Sequence, residues 1–126
     1  MSANRTVTLE TIDQGQVTVS EPGWCEGHAG EPPVYRSDIT HNGRHVRAGA
    51  ATEGHGYVDF MNAYISHAPY GEAQPEPYPV VSLHLDLDLD VTPDDGVKLA
   101  RGLRVAAARI ERVVAEAERL RGGGRP

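Results

Sequence analysis

The chain has 126 residues, of which 39% are hydrophobic and 24% charged, a balance typical of one globular domain. No apolar run reaches the ~18 residues needed to span a bilayer, and the first residues lack the basic and apolar regions of a signal peptide. A single cysteine excludes an internal disulfide, which agrees with a reducing compartment. We therefore expect a cytoplasmic protein.

The net charge of -6 is unevenly distributed along the chain. Residues 1–96 carry 4 basic and 15 acidic side chains, whereas residues 97–126 carry 8 basic and 3 acidic ones. Two interpretations follow: the two parts attract each other within one fold, or the basic part meets an acidic partner.

Two β-hairpins are predicted in the first half of the chain. Alternating β-branched and polar residues flank a glycine-containing turn at residues 13–15, which indicates the first hairpin. The second is predicted around Asn42-Gly43, the dipeptide favoured in two-residue type I′ turns. Its register pairs Ile39 with Val46 and places His41 and His45 on opposite faces, with His41 facing inward.

Two further strands are expected. Residues 57–67 are rich in Tyr, Val, Phe and Ile, which favours a strand over a short helix. Residues 80–91 alternate strictly, with one apolar face and one polar face. The apolar face comprises Val81, Leu83, Leu85, Leu87, Leu89 and Val91, and the polar face comprises Ser82, His84, Asp86, Asp88 and Asp90. Such a strand is typical of an antiparallel sheet that is covered on one side.

The last segment predicts a long helix. Thr92 is its expected N-cap, Pro93 suits its first position, and it should end near Leu120, before the Gly122-Gly123-Gly124 run. A heptad stripe comprises Leu99, Leu103, Ala106, Ile110, Val113, Ala117 and Leu120, and the opposite side carries Arg101, Arg104, Arg112 and Arg119. The stripe either packs on the leucine face of the last strand or, in its distal turns, supports a homodimer.

These elements predict an α+β fold, in which an antiparallel sheet of about five to six strands carries one long C-terminal helix on its apolar face. We expect one domain over residues 1–126. Residues 1–91 form its β-rich part, residues 92–121 its helix and residues 122–126 a flexible tail.

The segment GWCEGHAGEPPVYRSDITHNGRH contains a C-x2-H-x12-H-x3-H pattern, which resembles the ligand spacing of a zinc finger. The predicted hairpin separates the last two histidines, so a complete finger is not expected. A smaller zinc site remains, formed by Cys25, His28 and His41, with His67 or His84 as a candidate fourth ligand. The alternative is structural: Cys25 is a buried side chain beside Trp24, and His28 bonds to the backbone of a turn.

The same residues and two charged rows could support other chemistry. Cys25 with His28 would suit a cysteine-dependent enzyme, although a base held on a separate element is usual. The aspartates of residues 86–90 favour a solvated face over a cation site, because their side chains are ~6.5–7 Å apart along a strand. The four helix arginines suggest a face that binds a partner or a nucleic acid. The acidic pI of 5.4 argues against nucleic-acid binding.

The Trp-Cys-x-x-His segment, the Ala-Pro-Tyr-Gly turn at residues 68–71 and the Ala/Arg-rich helix together resemble a family of small, uncharacterised actinobacterial proteins, a domain of unknown function. The resemblance implies a cytoplasmic accessory protein and carries no catalytic residue. The expected function is therefore a non-enzymatic binding or regulatory module with a zinc ion at Cys25, His28 and His41. A metal- or cysteine-dependent enzyme and a nucleic-acid binder stay open as alternatives.

Overall fold

A computed structural model describes residues 5–73 and 75–122, and the last four residues of the predicted tail lie outside this part. Within it the chain forms six strands and one long helix. The elements are β1 (Arg5–Thr11), β2 (Gly15–Glu21), β3 (His41–Asn42), β4 (Val46–Thr52), β5 (Gly56–His67), β6 (Val80–Leu85) and α1 (Pro93–Arg121), with a short 3-10 turn at Arg36–Asp38. All the registered strand pairs are antiparallel, which confirms the predicted α+β class.

Strands β1 and β2 form a two-stranded sheet, and β5 pairs with β3, β4 and β6 in a four-stranded sheet. The described residues divide into two compact units. The first contains the chain up to Arg44 together with Ile65–Val80, and the second contains His45–Tyr64 together with the segment from Val81 onward.

In the first unit, the hairpin predicted at the start of the chain is confirmed. Val7 pairs with Val19 and Leu9 with Val17, and Gly15 closes the turn with a φ of 64°. Because side chains alternate along a strand, Val17, Val19 and Glu21 share one face of β2. The last of these places a carboxylate at a buried position.

The predicted Asn42-Gly43 hairpin is wrong. A type I′ turn requires positive φ at both central residues, and neither has it in the described chain. Instead, Gly43 donates its N–H to Ile65 O at 2.7 Å, and His41 and Asn42 pair with the end of β5. Competition from a longer strand therefore overrides the local turn preference of the dipeptide.

In the second unit, β4 and β5 form a hairpin across the Thr52–Gly56 turn, which confirms the strand predicted at residues 57–67. Helix α1 packs on β4. A Cβ atom on Gly102 would lie 2.9 Å from Gly49 O, so only glycine allows this close approach. The predicted N-cap is confirmed, because Thr92 Oγ1 accepts from Asp95 N at 3.2 Å.

The position of the leucine row differs from the prediction. Strand β6 ends at Leu85, and Leu87 and Leu89 follow it in irregular backbone. The row remains exposed by 36–62% from Leu83 to Val91, so it does not form the surface that α1 covers. The small residues of β4 allow closer helix packing than a row of leucines would, which explains why β4 receives the helix.

The buried stripe of α1 also shifts from the predicted heptad. Leu99, Ala106, Val113 and Ala117 are buried as expected, but Gly102 is buried in place of Leu103, which is 44% exposed. The stripe follows the residue that permits close contact with β4. None of the described helices combines the length and apolarity needed to cross a membrane.

Candidate metal centre

Four side chains of the first unit converge on one point. Glu21, Cys25, His28 and His41 each offer a ligand atom, and these atoms all lie within 4.8 Å of one another. Glu21 ends β2, Cys25 and His28 follow it in a loop, and His41 comes from β3. The cluster therefore joins the first hairpin to the edge of the second sheet.

The loop that carries Cys25 is shaped by its own backbone. Cys25 N donates to Pro22 O at 3.1 Å, and Gly27 adopts a φ of 94° that other residues rarely take. As a result, Gly27 N points back and donates to Cys25 Sγ at 3.4 Å. Glu26 N donates to Asn42 O at 3.0 Å, which fastens the loop to β3.

His41 is held in the interior by its strand. It pairs with His67 of β5, and its side chain is 2% exposed. Its ring packs edge-on against Tyr70. The guanidinium of Arg36 lies over the Tyr70 ring, 5.2 Å from the ring centroid. Among the described residues, His41 Nδ1 has no partner within hydrogen-bond distance, and the nearby Glu21 Oε1 lies 3.7 Å away. A buried polar atom of this kind needs a partner, and a metal ion would supply one.

Glu21 is the acceptor at the centre of the cluster. Its Oε1 accepts from Cys25 Sγ at 3.3 Å and contacts His28 Nε2, while its Oε2 pairs with Arg5 at 3.2 Å. Burial, the largest single effect, raises the pKa of Glu21, but the bond from Cys25 and the charges of His28 and Arg5 outweigh it. The pKa is therefore lowered, and Glu21 is a carboxylate.

Burial shifts the pKa values of Cys25 and His41 in opposite directions. It raises the pKa of the Cys25 thiol, with the neighbouring Glu21 adding to the effect, and it lowers the pKa of the His41 imidazole, helped by nearby His28. Without an ion, burial therefore favours a thiol and a neutral imidazole. A neutral imidazole is the form that binds metals, whereas the thiol must lose its proton.

His28 is oriented by a second carboxylate. Its Nδ1 lies 3.2 Å from Glu31 Oε2, and Glu31 N donates to His28 O at 3.1 Å within the same turn. Donation from Nδ1 to Glu31 would leave the lone pair of Nε2 for an ion, in place of the contact between Nε2 and Glu21 Oε1. Metal-binding histidines commonly carry such a carboxylate on their other ring nitrogen.

The donor set and its spacing fit zinc. Zinc takes thiolate, imidazole and carboxylate ligands at ~2.0–2.3 Å, so that ligand atoms of a tetrahedral site are ~3.3–3.8 Å apart. Cys25 Sγ lies 3.3 Å from Glu21 Oε1 and 3.7 Å from His28 Nε2, and His41 Nδ1 lies 3.7 Å from Glu21 Oε1. These three separations match those of a zinc site, whereas Glu21 Oε1 and His28 Nε2 are in closer contact than two ligands of one ion would be.

The structure brings together all three residues predicted from the sequence and adds Glu21. The sequence did carry a signal for Glu21: the alternation of β2 places it at an inward position, four residues before Cys25. The two candidate fourth ligands have other contacts. His67 Nε2 bonds to Glu76 O at 2.7 Å, and His84 stacks on Tyr64 with ring centroids 5.8 Å apart.

The predicted partner-binding arginines lie on the exposed side of α1. Arg101, Arg104 and Arg112 are exposed, and so is Arg119, which forms an ion pair with Glu116. The role of this face stays a prediction. The side chains of Asp86, Asp88 and Asp90 are exposed, and none of the described residues forms an ion pair with them, in keeping with a solvated row.

Comparison with known proteins places the chain in a family. The family model described as "Domain of unknown function (DUF6907)" matches residues 6–119, which include all four residues of the cluster. Neither the curated proteins nor the solved structures contain a match. Because the family model spans most of the sequence, the chain belongs to this family of unknown function.

Proposed function

We propose that this protein is a small, non-enzymatic binding module whose first unit is held together by a zinc ion. Glu21, Cys25, His28 and His41 are the ligands. The observation that carries the proposal is the convergence of four zinc-type donors around His41 Nδ1, a buried atom that accepts or donates no hydrogen bond within the described part of the chain. Hydrogen bonds within the cluster partner the other three donors, but this nitrogen is left for an ion.

A structural role is favoured over a catalytic one by the number and burial of the donors. Glu21, Cys25 and His41 are buried, and the His28 side chain is 7% exposed. Four protein ligands complete a tetrahedral zinc site, whereas catalytic sites keep one position for water or substrate. The ion would join the end of β2, the Cys25 loop and β3 into one unit.

Cobalt(II) substitution tests this proposal directly. Tetrahedral cobalt bound to a thiolate gives strong visible absorption together with a sulfur-to-metal charge-transfer band. We expect both in the wild-type protein, and we expect Cys25→Ser to lose the charge-transfer band. His55→Ala is the matched control for a His41→Ala variant, because His55 is exposed and its ring bonds to Asp90 O, outside the cluster. An octahedral spectrum that is indifferent to Cys25→Ser would overturn the assignment.

Thermal unfolding separates the structural role from an open site. Binding that is confined to the folded state raises the stability by the free energy of that binding. We expect chelation to lower the Tm of the wild-type protein and to leave the Tm of Cys25→Ser unchanged. If the ion is removed with no loss of stability, the site is an open one and the structural role is wrong.

A further inference from the structure

A second site lies beside the metal cluster, in a cleft of about 530 Å³ within the first unit. Its lining includes residues of β1 and of the segment around Asp38 and Ile39. Segment 34–36 is tied to the first hairpin, because Ile12 N donates to Val34 O and Arg36 N donates to Asp13 Oδ1, both at 2.9 Å. The cleft therefore has fixed walls.

Carboxylates outnumber cationic groups in the lining of this cleft. Glu10, Glu31 and Asp38 line it, and among the described lining residues His28 is the only side chain that can carry a positive charge. His28 is paired with Glu31, and Glu10 Oε1 accepts from Gln16 at 3.1 Å. The Asp38 carboxylate forms no hydrogen bond or ion pair within the described part of the chain. A cavity in which carboxylates predominate attracts and concentrates cations.

Between the carboxylates the walls are apolar. Leu9, Val34 and Ile39 line the cleft together with Pro32 and Pro33, and Ile39 is buried. The two prolines have no N–H to offer and a fixed φ, so they give a stiff surface without donors. Apolar walls with a few placed polar groups are the usual composition of a ligand site.

We propose that this cleft binds an alkyl guanidinium or alkyl ammonium group, with its cation between the carboxylates of Glu10, Glu31 and Asp38 and its chain on the apolar wall. A guanidinium suits the site best, because its five N–H donors can serve more than one carboxylate. The group is supplied either by a free small molecule or by an arginine side chain of a polypeptide. The proposal goes beyond the zinc site and requires no ion.

NMR titration of the full chain tests this proposal with a charged probe and its neutral isostere. We expect n-propylguanidinium to shift the amide resonances of residues 8–10 and 38–42 saturably, and n-propylurea to bind at least fivefold more weakly. Capped arginine, acetylated and amidated, distinguishes the two sources. Tighter binding than n-propylguanidinium indicates a polypeptide side chain, and weaker binding indicates a free small molecule.

Matched substitutions tie the binding to the cleft. Exposed ion pairs are worth ~0.2–1 kcal/mol, a factor of about 1.4 to 5 in affinity, so Asp38→Asn should weaken binding of n-propylguanidinium by up to about fivefold. Asp88→Asn makes the same charge change on an exposed carboxylate outside the cleft and should leave binding unchanged. Equal binding of the urea, or equal effects of the two substitutions, would refute the proposal. Zinc content measured on the same sample keeps this outcome separate from a failure of the metal site.

Discussion

His28 and Glu31 form an imidazole–carboxylate pair, with His28 Nδ1 3.2 Å from Glu31 Oε2, that directs the other ring nitrogen at Glu21 and Cys25. The pair is built within one turn of chain and is half open to solvent, since the Glu31 side chain is 51% exposed. It fixes the orientation of the least buried of the four donors. The proposed zinc site would therefore depend on a residue that is not itself one of its ligands.

Replacing Glu31 tests this dependence. Carboxylates that orient a histidine ligand typically contribute 10–100-fold to metal affinity, so we expect Glu31→Gln to weaken zinc binding by about that factor. Competition with a chromophoric chelator measures the change. Glu26→Gln is the matched control, because Glu26 is exposed and only its backbone takes part in the loop. If the two variants bind zinc equally, Glu31 has no positioning role.

Zinc affinity should rise with pH through the neutral range. Burial raises the pKa of the Cys25 thiol, so binding must displace a proton that the metal-free protein holds tightly. The pKa of His41 is lowered by burial, and this ring is already neutral near pH 7. We therefore expect about one proton to be released per ion between pH 7 and 8, measured by calorimetry in buffers of different ionisation enthalpy. Binding without proton release would exclude Cys25 as a ligand.

Asp95 should make the second unit acid-sensitive. The backbone N–H groups of Glu53 and Gly54 donate to its carboxylate at 2.9 and 3.1 Å and lower its pKa. Because the pKa of Asp95 is lower in the folded state, its carboxylate stabilises the fold at pH values above the ordinary pKa of about 4. This stabilisation is lost as the pH falls below about 4 towards the folded-state pKa. The Tm difference between the wild type and Asp95→Asn should therefore shrink from pH 6 to pH 3. A difference that stays constant over this range would contradict the assignment.

Alanine substitution at two glycines of α1 should change the free energy of unfolding in opposite directions. At Gly102 a Cβ atom would lie 2.9 Å from Gly49 O and 3.2 Å from Phe60 Cζ, so Gly102→Ala should cost about 1–3 kcal/mol despite its better helix propensity. Gly96 has only Val91 Cγ2 nearby, at 3.9 Å, and Gly96→Ala should stabilise by up to ~1 kcal/mol. Urea unfolding measures both. Stabilisation by both would mean that α1 does not approach β4 this closely.

The residue patterns predicted most of the secondary structure. Alternation located β1 and β2, the content of Tyr, Val, Phe and Ile located β5, and the Thr92-Pro93 cap located the start of α1 within one residue. The failures lie where tertiary contacts override a local pattern. Asn42-Gly43 bonds along β5 instead of forming a turn. The alternation of apolar and acidic residues continues beyond Leu85, although β6 ends there.

The candidate site was predicted in part. The short spacing of Cys25 and His28 marked a loop with two donors, and inward-facing His41 was a reasonable third. Glu21 was missed because a carboxylate at the end of a hairpin normally indicates an exposed position. Its burial depends on Arg5 and on the return of β3, and neither contact can be inferred from local sequence.

The zinc content of protein prepared without a histidine tag tests the central claim most directly. We predict one zinc ion per chain in the wild-type protein, less than a tenth of that in Glu21→Gln and Cys25→Ser after dialysis, and full occupancy in Glu26→Gln. The absence of zinc from the wild type under metal-replete conditions, or equal zinc in all four proteins, would contradict the account.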